Sequence, residues 1–125
     1  MKSIIFGIGI IIFIIILILC CDFPMTKNSV VGKYVNTNYG NNPCCLESPH
    51  KEDTLILKSD GTFSSRFYGI GTYNINYGLL ESEIELHYEY EMGKAGLYTS
   101  FSNKIFERPK IILNSGLNHY YVRTE

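Results

Sequence analysis

The chain has 125 residues, of which 46% are hydrophobic, 14% aromatic and 18% charged, and its formal net charge is −1. This composition is too apolar for a disordered tail and too evenly charged for a strongly basic nucleic-acid-binding protein. Its length suits a single compact domain. The hydrophobic residues are unevenly distributed, because residues 1–20 hold 16 of them and only one charged side chain, Lys2.

The first twenty residues have the features of an export signal. Lys2 precedes an apolar run over residues 4–19, and Cys20 and Cys21 follow it. A secretory signal has a short basic start and an apolar region of about 7–15 residues. A membrane-spanning helix usually needs about 20 apolar residues. We therefore predict that residues 1–20 are a signal peptide, with an uncleaved membrane anchor as the alternative. Both interpretations place the rest of the chain outside the cytoplasm.

The apolar run ends at cysteine rather than at small residues of the Ala-x-Ala type, and in this it resembles the signal peptides of bacterial lipoproteins. That family has an apolar residue three positions before the modified cysteine and a small residue just before it. For Cys21 these positions hold Ile18 and Cys20. For Cys20 they hold Leu17 and the bulky Leu19, which departs from the pattern. The resemblance implies lipid attachment at Cys21, a membrane partner and a location in the cell envelope.

Residues 21–30 are predicted to be a flexible tether, because they show no periodicity and contain Pro24. Residues 31–125 are predicted to form one β domain. Helix-favouring residues are scarce there, since Ala95 is the only alanine of the chain, whereas all ten tyrosines lie beyond residue 30. Tyrosine is common in strands.

Eight strands are predicted in chain order. Residues 82–91 show the clearest alternation, with Ile84, Leu86, Tyr88 and Tyr90 on one face and charged residues on the other. Asp60-Gly61 predicts a tight hairpin with positive φ at both residues, and residues 92–96 predict another turn. This pattern favours an antiparallel meander that closes into a small barrel, with a two-sheet sandwich as the alternative. The predicted strands cover residues 31–36, 53–59, 62–68, 70–76, 82–91, 97–101, 110–114 and 119–124.

Three motifs resemble small bacterial lipoproteins with a lipocalin-like domain. They are the opening Gly32-Lys33-Tyr34, the hairpin from Asp53 to Phe63 with its Leu-x-Leu-x-x-Asp-Gly-Thr-Phe pattern, and Gly71-Thr72-Tyr73. The resemblance covers residues 31–76. It implies a β-barrel and a role in binding apolar small molecules or in envelope structure.

The aromatic residues of the predicted inward faces suggest a ligand site. If the barrel encloses a cup, their rings would suit a small apolar molecule. The alternative is a packed core that explains stability alone, with the protein acting as a structural or interaction lipoprotein. The predicted lining residues are Phe63, Phe67, Tyr73, Tyr88, Tyr90 and Phe101.

The adjacent cysteines Cys44 and Cys45 lie in a long loop. Outside the cytoplasm cysteines tend to be oxidised, so a disulfide between the two is expected, with an interchain bridge or free thiols as alternatives. A less favoured hypothesis is a soft-metal sensor in which Cys44, Cys45 and His50, with His87 or Met92, bind Cu(I). The loop's position is similar to that in copper-responsive envelope lipoproteins, but their motif is Cys-x-x-Cys.

The sequence contains no pattern that indicates catalysis. It has no Gly-x-Ser-x-Gly elbow, and the acidic row of residues 83, 85, 89 and 91 is predicted to face water. We therefore expect a non-enzymatic protein without a cofactor, a metal or a nucleic-acid partner. Its expected partners are the membrane and a small apolar ligand or an envelope protein.

Overall fold

The computed structural model describes residues 2–20, 25–41, 48–78 and 81–125. Within these ranges there are two α-helices, α1 (Lys2–Cys20) and α2 (Lys27–Val30), and a single turn of 3-10 helix at Tyr39–Asn41. None of the described helices combines the length and the hydropathy needed to span a bilayer.

Eight strands form the domain. They are β1 (Gly32–Asn36), β2 (Thr54–Leu57), β3 (Thr62–Ser65), β4 (Gly69–Asn76), β5 (Ser82–Tyr90), β6 (Gly93–Ser102), β7 (Lys110–Asn114) and β8 (His119–Arg123). Each strand pairs antiparallel with the next, and β8 pairs with β1, so that the sheet is a closed barrel. The predicted all-β meander of eight strands is confirmed, and the barrel is the architecture rather than the sandwich.

Inward-facing side chains fill the barrel. The period of two along each strand places the apolar residues on its inner face, and they form one buried cluster. Burial of an aromatic or large aliphatic side chain contributes roughly 1.5–3 kcal/mol, so this cluster is the main source of stability. Its members are Val30, Tyr34, Leu55, Leu57, Phe63, Tyr68, Tyr73, Ile84, Leu86, Phe101, Ile111 and Tyr121.

Helix α2 covers one end of the barrel, which we call the entry end. Thr26 and Ser29 form a capping box at its start, and Val30 is fully buried. The Tyr34 hydroxyl donates to the Val30 carbonyl over 2.5 Å, and Arg123 Nη1 donates to the Ser29 carbonyl over 2.9 Å. Residues 27–30, which belong to the predicted tether 21–30, therefore pack against the barrel as helix α2.

Strand direction divides the connections between the two ends of the barrel. The turn at residues 58–61 and the connection at residues 103–109 lie at the entry end with α2. The connections after β1, β3, β5 and β7 lie at the opposite end, which we call the loop end.

The two Gly-x-Tyr motifs have a structural explanation. A Cβ at Gly71 would collide with the His87 carbonyl oxygen and would lie 2.7 Å from the Phe63 ring, so only glycine lets this ring pack on the strand. The Tyr73 hydroxyl donates to the Lys58 carbonyl over 2.6 Å, as the first motif's tyrosine does to Val30. Each motif therefore combines a close backbone approach with a tyrosine that reaches the entry end.

Two predictions about turns are wrong in detail. Residues 93–96, predicted as a turn, are the first part of β6, because they continue the pairing with β5 up to Tyr90↔Gly93. At the first hairpin Gly61 has φ +86°, but Asp60 is not among the described residues with positive φ. Asp60 Oδ1 instead accepts hydrogen bonds from the Thr62 amide and hydroxyl, which stabilises a four-residue connection.

Candidate functional site at the loop end

A buried carboxylate organises the loop end. Asp53 is 3% exposed and directly precedes β2. Its Oδ1 accepts hydrogen bonds from the amides of Arg66 and Phe67 at 2.9 and 3.1 Å. Its Oδ2 accepts from the hydroxyls of Ser65 and Tyr121 at 2.6 and 2.5 Å. Four donors thus compensate a buried charge that would otherwise be costly.

Asn36 holds Asp53 from the neighbouring strand. The Asp53 amide donates to Asn36 Oδ1 over 2.7 Å, and the Asn36 amide donates to the Asp53 carbonyl over 3.2 Å. Asn36 Nδ2 also donates to the Lys51 carbonyl over 2.8 Å. Asn36 therefore fixes the backbone at Asp53, while the Asp53 carboxylate fixes the turn that follows β3.

Tyr121 connects this network to the barrel core. Burial, and then its hydrogen bond to Asp53, raise the pKa of Tyr121 far above the ordinary value for tyrosine. The phenol therefore stays protonated and acts as a hydrogen-bond donor.

One imidazole at the loop end is buried. His119 is 6% exposed, and among the described residues its Nε2 has no hydrogen-bond partner. Burial, and then the neighbouring His50, lower the pKa of His119 below its usual 6.5. His119 is therefore neutral at neutral pH.

A pocket of about 370 Å³ opens beside Asp53. Pro49 and Phe67 provide apolar surface, while His50, Lys51, Glu52 and Arg66 bring polar and charged groups. None of the ion pairs between described residues involves Lys51 or Arg66. Because Asp53 fixes the Arg66 and Phe67 amides, the pocket wall is anchored to the barrel.

The structure divides the predicted cup residues into two groups. Phe63, Tyr73 and Phe101 are buried in the core, and Tyr88 packs against it, with its ring centroid 5.1 Å from that of Tyr68. These four fill space in or beside the core.

The other two predicted cup residues, Phe67 and Tyr90, are exposed rather than buried in the core. They are 42% and 53% exposed. Strand β3 ends at Ser65, and the following turn places Tyr68, rather than Phe67, in the core. Tyr90 lies on the inner face of β5, as the alternation predicts. It is exposed because β4, β5 and β6 are longer than the other strands and extend past the core at the loop end. Sequence alternation identifies a face but not where the core ends.

The predicted thiol sites lie outside the described residues. This applies to Cys21, the predicted lipid attachment point, and to Cys44 and Cys45, the predicted disulfide. The other residues of the metal hypothesis are separated, because His50 lies beside the pocket, whereas His87 is on the outer wall, 3.2 Å from Glu85 Oε1. Within the described ranges, no group of three or more potential His, Cys, Asp or Glu ligands is present.

Comparison of the chain with models of protein families, with curated proteins and with solved structures finds no match. The properties of the site therefore have to be inferred from its own geometry.

Sequence reasoning missed Asp53 and Tyr121 as the centre of the loop end. It placed Asp53 at the start of the predicted strand 53–59, yet an acidic residue directly before an alternating apolar strand was a usable signal. Tyr121 gave no such signal, because its donor role depends on closure of the barrel between β8 and β1.

Proposed function

We propose that the chain is a lipid-anchored, non-enzymatic protein of the cell envelope whose barrel binds a small molecule at the loop end. The ligand has an apolar ring and an acidic group. The observation that carries this proposal is the pocket of about 370 Å³ beside Asp53, at the end of the barrel opposite to α2.

The anchor hypothesis rests on the sequence, and the position of α2 gives the orientation that such an anchor would impose on the barrel. Residues 25–30, which follow the predicted lipid site in the sequence, lead through α2 into β1 at the entry end. An anchor at Cys21 would therefore hold the entry end towards the membrane and present the loop end to its surroundings. Two acyl chains bind a bilayer stably, at about 0.8 kcal/mol for each buried CH₂ group.

The ligand class follows from the pocket walls. Phe67 offers a partly exposed ring, and ligand pockets of about 300–1,000 Å³ commonly combine such surface with a few polar groups. The Arg66 guanidinium matches a carboxylate in geometry and charge. Asp53 already accepts four hydrogen bonds, so its carboxylate is engaged in structure and is poorly placed to act as a general base.

Intact mass spectrometry of the membrane-extracted protein tests the anchor. For the unaltered chain we expect a mass that corresponds to cleavage before Cys21 and the addition of acyl groups. The Cys21→Ser variant should keep its N-terminal segment. Cys20→Ser is the matched control and should still be processed. An unmodified full-length mass for the unaltered chain would contradict the anchor proposal.

Heteronuclear NMR titration of the detergent-solubilised full chain tests the pocket. Phenylacetate carries both a ring and a carboxylate, whereas benzyl alcohol and acetate each carry only one of these features. We expect saturable shifts of the Arg66 and Phe67 amide signals with phenylacetate, and weaker effects with the other two compounds. Phe67→Ala should weaken binding, and Phe106→Ala, which alters an 83% exposed ring at the entry end, should not. Equal responses to all three compounds would contradict the assigned ligand class.

A specific observation also favours a second function, docking of an envelope protein. Apolar side chains are exposed around the loop end, with Ile70 at 79% and Met92 at 88% in addition to Phe67 and Tyr90. Combined Ile70→Ser and Met92→Ser substitutions should then reduce recovery of cross-linked envelope proteins while leaving phenylacetate binding intact. Unchanged cross-linking would contradict the docking function.

A further inference from the structure

One edge of β6 is unpaired over most of its length. On the β5 side, β6 is paired from Gly93 to Phe101. On the β7 side, pairing is confined to Ser100, Phe101 and Ser102. Among the described residues, no strand pairs with the remaining edge of β6, over residues 93–99.

Such an edge presents alternating backbone N–H and C=O groups that can pair with another strand. At about 3.3 Å per residue, this segment of β6 is roughly 20 Å long, enough for a short antiparallel ladder. Gly93, Lys94, Gly96 and Tyr98 are exposed along it, so that a strand can approach from solvent.

The edge is complementary to itself. In an antiparallel pair centred on Gly96, the glycines of the two copies face each other. Lys94 then faces Tyr98 of the second copy, and Ala95 faces Leu97 of the second copy. Even-numbered residues of one copy lie opposite even-numbered residues of the other in this register. The outward-facing side chains of the two barrels therefore lie on the same face of the joined sheet. The pair places small residues at its centre and an ammonium group beside an aromatic ring.

We infer that the chain forms a twofold dimer in which the free edges of β6 from two copies pair antiparallel about Gly96, joining the barrels into one continuous sheet. This inference does not depend on the proposed ligand pocket.

Charge favours a second copy as the occupant. The Tyr98 hydroxyl is hydrogen-bonded to the carboxylate of Glu85 on β5, and Glu83 lies nearby on the same strand. Lys94 of the second copy, facing Tyr98, would approach this acidic group. The two acidic rows would be separated by three strand spacings, about 14 Å, which exceeds the Debye length of about 8 Å at physiological ionic strength.

Gly96 is the best position for a test, because substitution there is tolerated in the monomer. A Cβ at Gly96 would meet its nearest atom, His87 Nδ1, at 3.7 Å, which is ordinary van der Waals contact. In the dimer, Gly96→Lys or Gly96→Glu would place two like charges directly opposite each other, which is destabilising. Gly96→Ala is the matched control without charge.

Native mass spectrometry of the full chain released from mild detergent measures the result. We expect a concentration-dependent dimer for the unaltered chain and for Gly96→Ala. For Gly96→Lys and Gly96→Glu alone, we expect a dissociation constant raised about tenfold or more. Mixing these two variants should restore a heterodimer, since opposite charges then face each other on the twofold axis. Circular dichroism of each variant confirms that the sheet is retained.

Three results would overturn the inference: a chain that is monomeric at every concentration, a dimer that both charged variants leave unaltered, or a mixture in which the heterodimer is no more abundant than either homodimer. A variant that loses its sheet signal is replaced by Lys94→Glu. This change should weaken the dimer by bringing a carboxylate next to Glu85 of the second copy, and an unweakened dimer would also overturn the inference.

Discussion

Replacing Tyr121 by Phe should cost about 2 kcal/mol of unfolding free energy, because it removes one hydrogen bond to a buried carboxylate. A hydrogen bond to a charged group contributes about 1.5–3 kcal/mol, against about 0.5–1.5 kcal/mol for a neutral pair. Tyr121 is fully buried, and its hydroxyl donates to Asp53, which keeps three other donors in the variant. The Asp53 network should therefore be weakened but not lost.

The chain provides two matched controls that delete the same atom. Tyr34→Phe removes a buried hydrogen bond to the neutral Val30 carbonyl and should cost about 1 kcal/mol. Tyr120→Phe removes an exposed bond to Asn118 and should change stability by less than about 0.5 kcal/mol.

Thermal unfolding of the full chain in mild detergent, followed by far-UV circular dichroism, measures the series. A loss of 1 kcal/mol lowers Tm by about 4–8 °C in a domain of this size, so Tyr121→Phe should lower it by roughly 8–16 °C. Equal effects of Tyr121→Phe and Tyr120→Phe would refute the assignment of Asp53 as a buried, tyrosine-bonded carboxylate.

Two further predictions concern His119 and Gly71. The unfolded chain binds a proton at His119 more readily than the folded chain, because burial and His50 lower the folded pKa below 6.5. The free energy of unfolding should therefore fall as pH drops below about 6.5, until the pKa of His119 in the folded chain is reached. Denaturant titrations should show a weaker pH dependence of this free energy for His119→Asn than for the unaltered chain. Gly71→Ala should lower stability by about 1–3 kcal/mol, because the new methyl group meets backbone and the Phe63 ring. Gly96→Ala is the control and should leave stability unchanged in the same unfolding assay, at protein concentrations where the chain is monomeric. An equal loss of stability for Gly71→Ala and Gly96→Ala would contradict this packing argument.

The fold was predictable because its signals are local. Alternation in residues 82–91 and the Asp-Gly turn identify strands and a hairpin without knowledge of distant contacts. Closure into a barrel follows from the need to bury one face and remove sheet edges. For β7 the predicted and observed bounds coincide at Lys110–Asn114.

The site was less predictable, because it depends on pairs that are distant in sequence. Asp53 and Tyr121 are 68 positions apart and meet only when β8 closes on β1. The exposure of Phe67 depends on where β3 ends, which Asp53 controls by accepting hydrogen bonds from the turn amides. The true extent of β6 was missed because Gly93 and Gly96 resemble turn residues, although pairing with a long β5 keeps them extended.

The Asp53 network ties the pocket to the core. One carboxylate oxygen accepts hydrogen bonds from the amides of Arg66 and Phe67, which position the pocket wall. The other oxygen accepts from the hydroxyls of Ser65 and Tyr121, and Tyr121 lies in the core. A weaker bond on the core side leaves the carboxylate freer to move, and the turn then loses part of its fixed geometry. Tyr121→Phe should therefore weaken phenylacetate binding even though Tyr121 does not line the pocket, whereas Tyr34→Phe, at the entry end, should leave binding unchanged. Equal effects of the two variants on binding would mean that stability alone, rather than this network, governs the pocket.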